Sequence, residues 1–510
     1  MTPRTQRGIV TGSIMLATVM QTLDSTIANV ALPHMQGTMS ATEDQIAWVL
    51  TSYIIAAAIA TPATSFLSIR FGRKRLLAVS IIGFTVSSML CGAAQSLEEI
   101  VLFRLAQGVF GAAFVPLSQA IMLDTYSMEM RGKMMALWGV GVMVGPIIGP
   151  ALGGWLTDSY SWRWVFYINV PFGVFALLGV MIALEESKRD FFRRFDWMGF
   201  AFLSIAIGAM QLMLDRGNLR DWFSSNEIIF EALVSAFAFY WFMAHSLTAK
   251  RPFIDFALFK DRNLVVGVCM LFEVGLVLYA TMALMPPFLE TLMGFPVTIT
   301  GLVLAPRGIG TMAAMFIAGR IINRIDMRHI IAFGLALSSF SLWQMAQFNL
   351  NVSQQTIIVT GVIQGFGLGF IFAPLTTITF ATLPAHLRTD GTSIFSLMRN
   401  VGSSVGISVA MTLVARLTQI NHAAFASRVD PTNPIFRAEA MPHGLSLSTP
   451  MGLSFLNNEM TRQAAAIGYL NDFRLMMAMT AAIIPMAYLM RTPTMTPEEI
   501  EEAAQHAAMD

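Results

Sequence analysis

Five ionisable side chains, Asp24, Arg104, Glu273, Arg307 and Arg399, stand inside stretches that are otherwise apolar. A charge at bilayer depth costs at least about 2.5 to 3.5 kcal/mol on insertion scales, so each asks for a partner or a watery cavity. The chemistry open to such a set is reversible proton binding and charge compensation. An apolar setting favours a neutral carboxyl, a nearby guanidinium favours the carboxylate, and Arg itself stays charged.

Depth follows from the helical rise. Asp24 lies roughly 12 Å from the far end of its stretch, and Arg104 roughly 9 Å from the same side of its own, so the two can meet. Asp24 is the expected carrier of a coupling proton, with Arg104 tuning or replacing it; a permanent interhelical ion pair fits the same residues. Glu273 and Arg307 lie roughly 15 and 14 Å deep on consecutive stretches. Glu273 reads as a second proton site or a group for cationic compounds, and Arg307 as its partner or an anion contact. A structural pair is the alternative. Arg399, roughly 12 Å deep, reads as a residue of the cavity mouth or one that snorkels to headgroups.

Covalent and metal chemistry find no footing. There is no G-x-x-x-x-G-K-[ST] phosphate loop and no H-E-x-x-H pair. Cys91 and Cys269 both sit in apolar runs and suggest neither a disulfide framework nor a metal site. The expected energy source is therefore a proton gradient, with no cofactor and no metal.

The elements that must hold these charges are membrane helices. Of 510 residues 55% are hydrophobic and 12% are charged, against about 25% charged in soluble domains, which excludes a purely soluble protein. A net charge of +1 argues against a nucleic-acid partner. About 20 apolar residues cross a bilayer core of roughly 30 Å. Fourteen such stretches are expected, over 8–32, 45–67, 76–96, 98–123, 132–157, 163–184, 197–215, 226–247, 263–289, 298–319, 329–349, 354–382, 391–415 and 469–490. Most of the 32 Lys and Arg, including Lys188, Arg193, Arg194, Lys250 and Arg251, then fall on the side of the N-terminus, which predicts that both termini are cytoplasmic. The first stretch is too long for a signal peptide and reads as an uncleaved span.

A basic motif, Ser65 to Arg75 with Gly72 and Arg73 at its centre, follows the second stretch, and a weaker echo, Gly319 to Arg328, follows the tenth. The echo suggests two halves of six helices, with the seventh and eighth inserted between them. The expected division is 1–190, an inserted pair over 191–262, a second half over 263–490 with a long outer loop at 416–468, and a cytoplasmic tail at 491–510. That loop carries a turn-rich run from Asp430 to Pro434 and is the largest piece outside the membrane; the tail carries Glu498, Glu499, Glu501 and Glu502. Gly141, Gly145, Gly149 and Gly153, with Pro146 and Pro150 between them, suggest a helix built to pack closely and bend. Gly361, Gly365 and Gly369, and Gly402 with Gly406, repeat that spacing.

Several segments resemble a known family. Leu23 to Pro33 is similar to the first-span signature of the fourteen-span drug:proton antiporters of the major facilitator superfamily. Arg104 to Gly108, ending at Pro116, resembles its fourth-span motif, Gly141 to Gly154 its antiporter motif, and Trp162 to Pro171 continues the match. Leu214-Asp215-Arg216-Gly217, followed by Asp221 to Ser225, resembles the EmrB/QacA-type branch. The resemblance covers nearly the whole chain. It implies an all-α integral membrane protein of the major facilitator fold, exporting hydrophobic or amphipathic compounds from the bacterial inner membrane by alternating access. It also implies a periplasmic adaptor and an outer-membrane channel as partners. Ser65 and Ile69 stand where the family's basic motif has Gly and Asp, so its charge latch does not carry over. Proton-coupled uptake and a non-transporting sensor remain as alternatives.

Thirty-seven Met and 38 Phe suit a cavity for varied drug-like or fatty-acid-like molecules. Met20, Gln21 and Asn29 in the first span, and Gln364 and Phe372 in the twelfth, are expected on its wall with Arg307 and Arg399.

Overall fold

A computed structural model describes residues 2–187, 189, 195–249, 252–322, 324–429 and 449–491. Lys188, Arg193, Arg194, Lys250, Arg251, the run from Asp430 to Pro434 and the glutamates of the tail lie outside the described residues, as does the side chain of Pro150. Among the described residues the chain is helical, with turns and short irregular links.

The helices are α1 (Pro3–Met39), α2 (Glu43–Ile46), α3 (Trp48–Ala60), α4 (Ala63–Phe71), α5 (Arg73–Ala93), α6 (Leu97–Gly111), α7 (Phe114–Thr125), α8 (Met128–Ser159), α9 (Trp164–Tyr167) and α10 (Asn169–Ala183). The inserted pair follows as α11 (Trp197–Arg216) and α12 (Asn226–Thr248). The remainder are α13 (Arg262–Pro287), α14 (Val297–Ile321), α15 (Met327–Met345), α16 (Gln354–Thr379), α17 (Arg388–Ala426) and α18 (Pro450–Ile483).

Local chemistry sets the boundaries. Ser96, Asp261, Asp326, Ser353 and Thr449 each accept a backbone N–H at the start of a helix. Gly72 turns the chain from α4 into α5 at φ 89°, a conformation that favours glycine. The α3–α4 pair bends by 57° at Thr61-Pro62. Among the described residues, eleven helices are long and apolar enough to cross a membrane, and twelve with this bent pair. The polar residues of α1 and α15 keep those two helices, over the first and eleventh expected spans, below that measure.

The neighbour scheme of the first half recurs in the second. α1 packs on α8 and α10, α3 on α6, and α5 on α6 and α10; correspondingly, α13 packs on α17 and α18, α14 on α16, and α15 on α16 and α18. The halves meet where α8 lies against α14 and α16, and where α17 lies against α4 and α7. α11 touches α3 of one half and α17 of the other, so the inserted pair straddles the seam.

One expectation is corrected. The loop placed at 416–468 is helical at both ends: α17 continues to Ala426 and α18 begins at Pro450. At 39 residues, α17 is about 58 Å long, well beyond the roughly 30 Å core. The extension has a partner to pack on, for Gly468 approaches Val414, and His422 Nε2 bonds Asn457 Oδ1 at 3.0 Å. A search for apolar runs cannot see a helix held by its neighbour.

Glycines set how closely the helices approach. A Cβ on Gly145 would stand 2.3 Å from the Thr22 carbonyl carbon and 2.5 Å from the Leu23 nitrogen, both backbone atoms of α1. A Cβ on Gly149 would strike the Thr26 hydroxyl, and one on Gly153 the Ile27 side chain and carbonyl. Cβ atoms on Gly365, Gly402 and Gly406 would overlap the carbonyls of Arg307, Phe272 and Leu276. At Gly141, by contrast, the nearest atom is the mobile Met15 methyl, at 3.1 Å. Gly145→Ala is therefore expected to cost about 1 to 3 kcal/mol. Gly141→Ala should stay within about 0.5 kcal/mol of the parent. Thermal unfolding of both variants in detergent checks the contrast, and equal behaviour would contradict it.

Candidate functional site

The first half buries one charged cluster completely. Asp24 on α1 and Arg104 on α6 are both 0% exposed. Arg104 Nη1 donates to Asp24 Oδ2 at 2.7 Å. Gln107 Nε2 and Asn169 Nδ2 donate to Asp24 Oδ1 at 2.8 and 2.9 Å. The carboxyl thus accepts three N–H groups from two helices. Arg104 is fixed in turn: Nη1 also reaches Gln107 Oε1 at 2.9 Å, and Nε donates to the Val49 carbonyl at 3.0 Å. Its guanidinium stacks over Tyr53, 4.2 Å from the ring centroid. Asn169 also donates to Ser88 Oγ at 2.9 Å, which brings α5 into the cluster.

Close approaches aim these groups. Gly108 lets α6 come within 2.5 Å of the Tyr53 carbonyl, measured from where a Cβ would stand, and so delivers Arg104 to Val49 one turn back along α3. Gly173 receives the Thr85 hydroxyl one turn from the Asn169–Ser88 contact, and Gly145 presses on α1 beside Asp24. The sequence motifs contain both Gln107 and Asn169, yet their role as donors to Asp24 was missed. The signal lay in Gln107 standing three residues from Arg104, on one helical face.

The second half is arranged differently. Glu273 on α13 is 5% exposed, and its Oε1 accepts from Thr480 Oγ1 of α18 at 2.8 Å. The expected pairing with Arg307 is absent among the described residues. α13 and α14 do not pack on each other, since α13 packs on α16, α17 and α18 and α14 on α16 and α8. Arg307 Nη2 and Arg399 Nε are buried without hydrogen-bond partners.

The seven residues expected on a cavity wall differ in exposure and in partners in this conformation. Met20 is fully buried in the core. Phe372, 4% exposed, stacks on Trp138 across the two halves at 6.2 Å. Gln364 Nε2 donates to Thr281 Oγ1 at 3.3 Å, leaving its Oε1 buried without a partner. Gln21 and Arg399 are half-buried and Asn29 is exposed.

At the end of the bundle carrying the basic loops the halves are fastened together. Arg73 and Arg388 both pair with Asp124, and Arg73 Nη2 also donates to Thr389 Oγ1 at 2.9 Å. Ser65 donates to Asp390, and Thr392 Oγ1 to the Pro116 carbonyl at 3.1 Å. Ser65, one of the two departures from the family's basic motif, therefore supplies a contact between the halves itself.

Comparisons with known proteins follow the same lines. The family profile described as "Major Facilitator Superfamily" matches residues 14–407. The "Multidrug export protein EmrB" of Haemophilus influenzae is 35% identical over 466 residues, 90% of this chain and 91% of that one. The "Fatty acid resistance protein FarB" of Neisseria gonorrhoeae is 34% identical over 489 residues, 95% of this chain and 96% of that one. Among solved structures, the human organic anion transporter MFSD10 (TETRAN) is similar in fold, with a TM-score of 0.60 at 14% identity over 93% of this chain and 99% of that one.

Removing one partner of a buried ion pair strands the other. Arg104→Met is expected to cost about 3 to 5 kcal/mol. Adding Asp24→Asn should recover part of that loss, which a double-mutant cycle of unfolding in detergent measures; full additivity of the two changes would contradict the coupling.

Proposed function

We propose that this chain, which belongs to the major facilitator superfamily, is a proton-driven antiporter that exports hydrophobic or amphipathic compounds across the bacterial inner membrane. It is a multidrug-efflux transporter of the EmrB-like group and not an enzyme, as its relatives over nine-tenths of its length support. The names of these relatives, "Multidrug export protein" and "Fatty acid resistance protein", support a substrate range from drug-like to fatty-acid-like molecules.

The observation that carries the proton-coupled reading is the carboxylate of Asp24, sealed from solvent and held by Arg104, Gln107 and Asn169. A protonated Asp24 would set an O–H against one of these donors, so proton uptake must loosen α1 from α6 or α10. Charge neutralisation and helix movement are thereby linked in one step. Arg104 keeps Gln107 and the Val49 carbonyl as partners while Asp24 is neutral. Glu273 is proposed as a second acidic site, with Thr480 as its hydroxyl donor. Arg307 and Arg399, with buried nitrogens that lack partners, are proposed contacts for anionic parts of substrates.

Positive charge clusters at the end where the halves are fastened, so we assign that end to the cytoplasm, with both termini inside. The conformation is then closed inward, its floor made by Trp138 against Phe372 and by the Asp124 and Asp390 contacts. Opening inward requires these crossings to break. The helical extension formed by the ends of α17 and α18 would reach outside and offer the surface for a periplasmic adaptor that hands substrate to an outer-membrane channel.

Reconstituted vesicles test the reading. Asp24→Asn keeps a hydrogen-bonding side chain but cannot cycle a proton, so it is expected to abolish pH-driven efflux while leaving a folded protein. Export by this variant at the parent rate would take Asp24 out of the mechanism. Glu273→Gln is expected to change either proton coupling or the preference for cationic over anionic compounds. Unaltered values of both would leave Glu273 a structural role only.

A further inference from the structure

A second acid is sealed in the second half without any partner. Asp472 on α18 is 2% exposed, its Oδ2 is completely buried, and neither oxygen receives a hydrogen bond among the described residues. An unpaired carboxylate sealed from water is among the most expensive groups a protein can hold, whereas the neutral acid is tolerated. The neutral form is therefore the one this conformation accepts. Asp24, accepting three donors, is its opposite.

Asp472 shares a stripe of α18 with two residues that face α13. Met476, four residues on, lies 3.8 Å through its sulfur from Thr281 Oγ1, and Thr480, four further, donates to Glu273. Thr281 also accepts from Gln364, whose Oε1 is buried and free. Polar groups thus continue from Glu273 toward the end remote from the basic loops. The basic end of α18 is marked by the Arg491 nitrogen donating to Asn263 Oδ1 at 2.7 Å. Asp472 stands about 28 Å from that mark, close to the far margin of a roughly 30 Å core, where a proton from the remote side would enter.

The titratable groups on neighbouring elements leave it uncompensated. They include Glu273 and Tyr279 on α13, Glu290 in the turn that follows, Arg399, Arg416 and His422 on α17, and Tyr469, Arg462 and Arg474 on its own helix, of which Arg462 pairs with Glu459 and Arg474 donates to Asn471 Oδ1; Arg262 on α13, Arg388 and Asp390 on α17, and Arg328 and His329 on α15 lie at the basic end. None forms an ion pair or hydrogen bond with the Asp472 carboxyl among the described residues.

We propose that Asp472 is a second proton-exchange site of the transporter, loaded from the remote side and serving Glu273 through the polar row between α13, α16 and α18. The proposal rests on the proton-coupled reading above. The step is a proton transfer alone: the Asp472 O–H breaks when its surroundings open, and the proton passes to water or to the Glu273 carboxylate.

Two measurements test it. Dicyclohexylcarbodiimide modifies protonated carboxyls in apolar surroundings. The wild-type protein in vesicles should be labelled at Asp472, identified by peptide mass spectrometry, with labelling falling as the pH is raised. Asp472→Asn should retain gradient-free exchange of ethidium and of decanoate while its pH-driven export drops to the level of empty vesicles. Absence of label at Asp472 at every pH, or driven export by Asp472→Asn at the wild-type rate, would overturn the proposal. Should that variant fail to fold, the labelling of the wild type still decides. Wild-type vesicles that move neither probe together with protons would strike the proton-coupled reading itself.

Discussion

The first half is organised around a charge that water cannot reach. Burying a carboxylate and a guanidinium together is costly unless geometry is good and the remaining lone pairs and protons are satisfied. Here α6 and α10 supply three donors to Asp24, while α3 and α6 supply acceptors to Arg104, whose Nη2 is buried without one as the guanidinium stacks over Tyr53. Loss of any one leaves a buried polar group without its partner. Five helices are therefore held in register by a requirement on a few atoms, and a change in the charge of Asp24 is felt by all of them.

Glycine makes that convergence possible. Side chains at Gly108, Gly145 or Gly173 would drive apart the helices that carry Arg104, Asp24 and Asn169. The same close approaches recur in the second half at Gly365, Gly402 and Gly406, where the described residues form no buried ion pair. The halves are thus alike in backbone packing and unlike in polar content, with one acid saturated by donors and two others holding one donor or none. Between them the crossing contacts gather at the basic end. The inserted helix α11 touches both sides through the Asp215 contact with Thr51 and the Ser408 hydroxyl donated to the Leu214 carbonyl.

Much of the fold was legible along the chain, because a bilayer demands long apolar helices with satisfied backbones. Asp24 and Arg104 were legible as a pair since depth in the membrane follows from residue counting. Of the roles that the same counting left open for Glu273 and Arg307, the pairing does not form among the described residues, because counting gives depth but not azimuth. The extension of α17 escaped notice because its stability comes from α18 and not from apolarity. Met20 and Phe372, expected on a cavity wall, lie buried in one core cluster in this conformation.

Sequence alone determined that charged groups must lie at membrane depth and that glycine-rich helices pack closely, since desolvation and sterics act on residue type. Only the tertiary structure decided which acid meets which donor: Gln107 and Asn169 for Asp24, Thr480 for Glu273, nothing for Asp472. Hydrogen bonds depend on direction and on a few tenths of an ångström, and both are set by how helices distant in the chain rotate against each other.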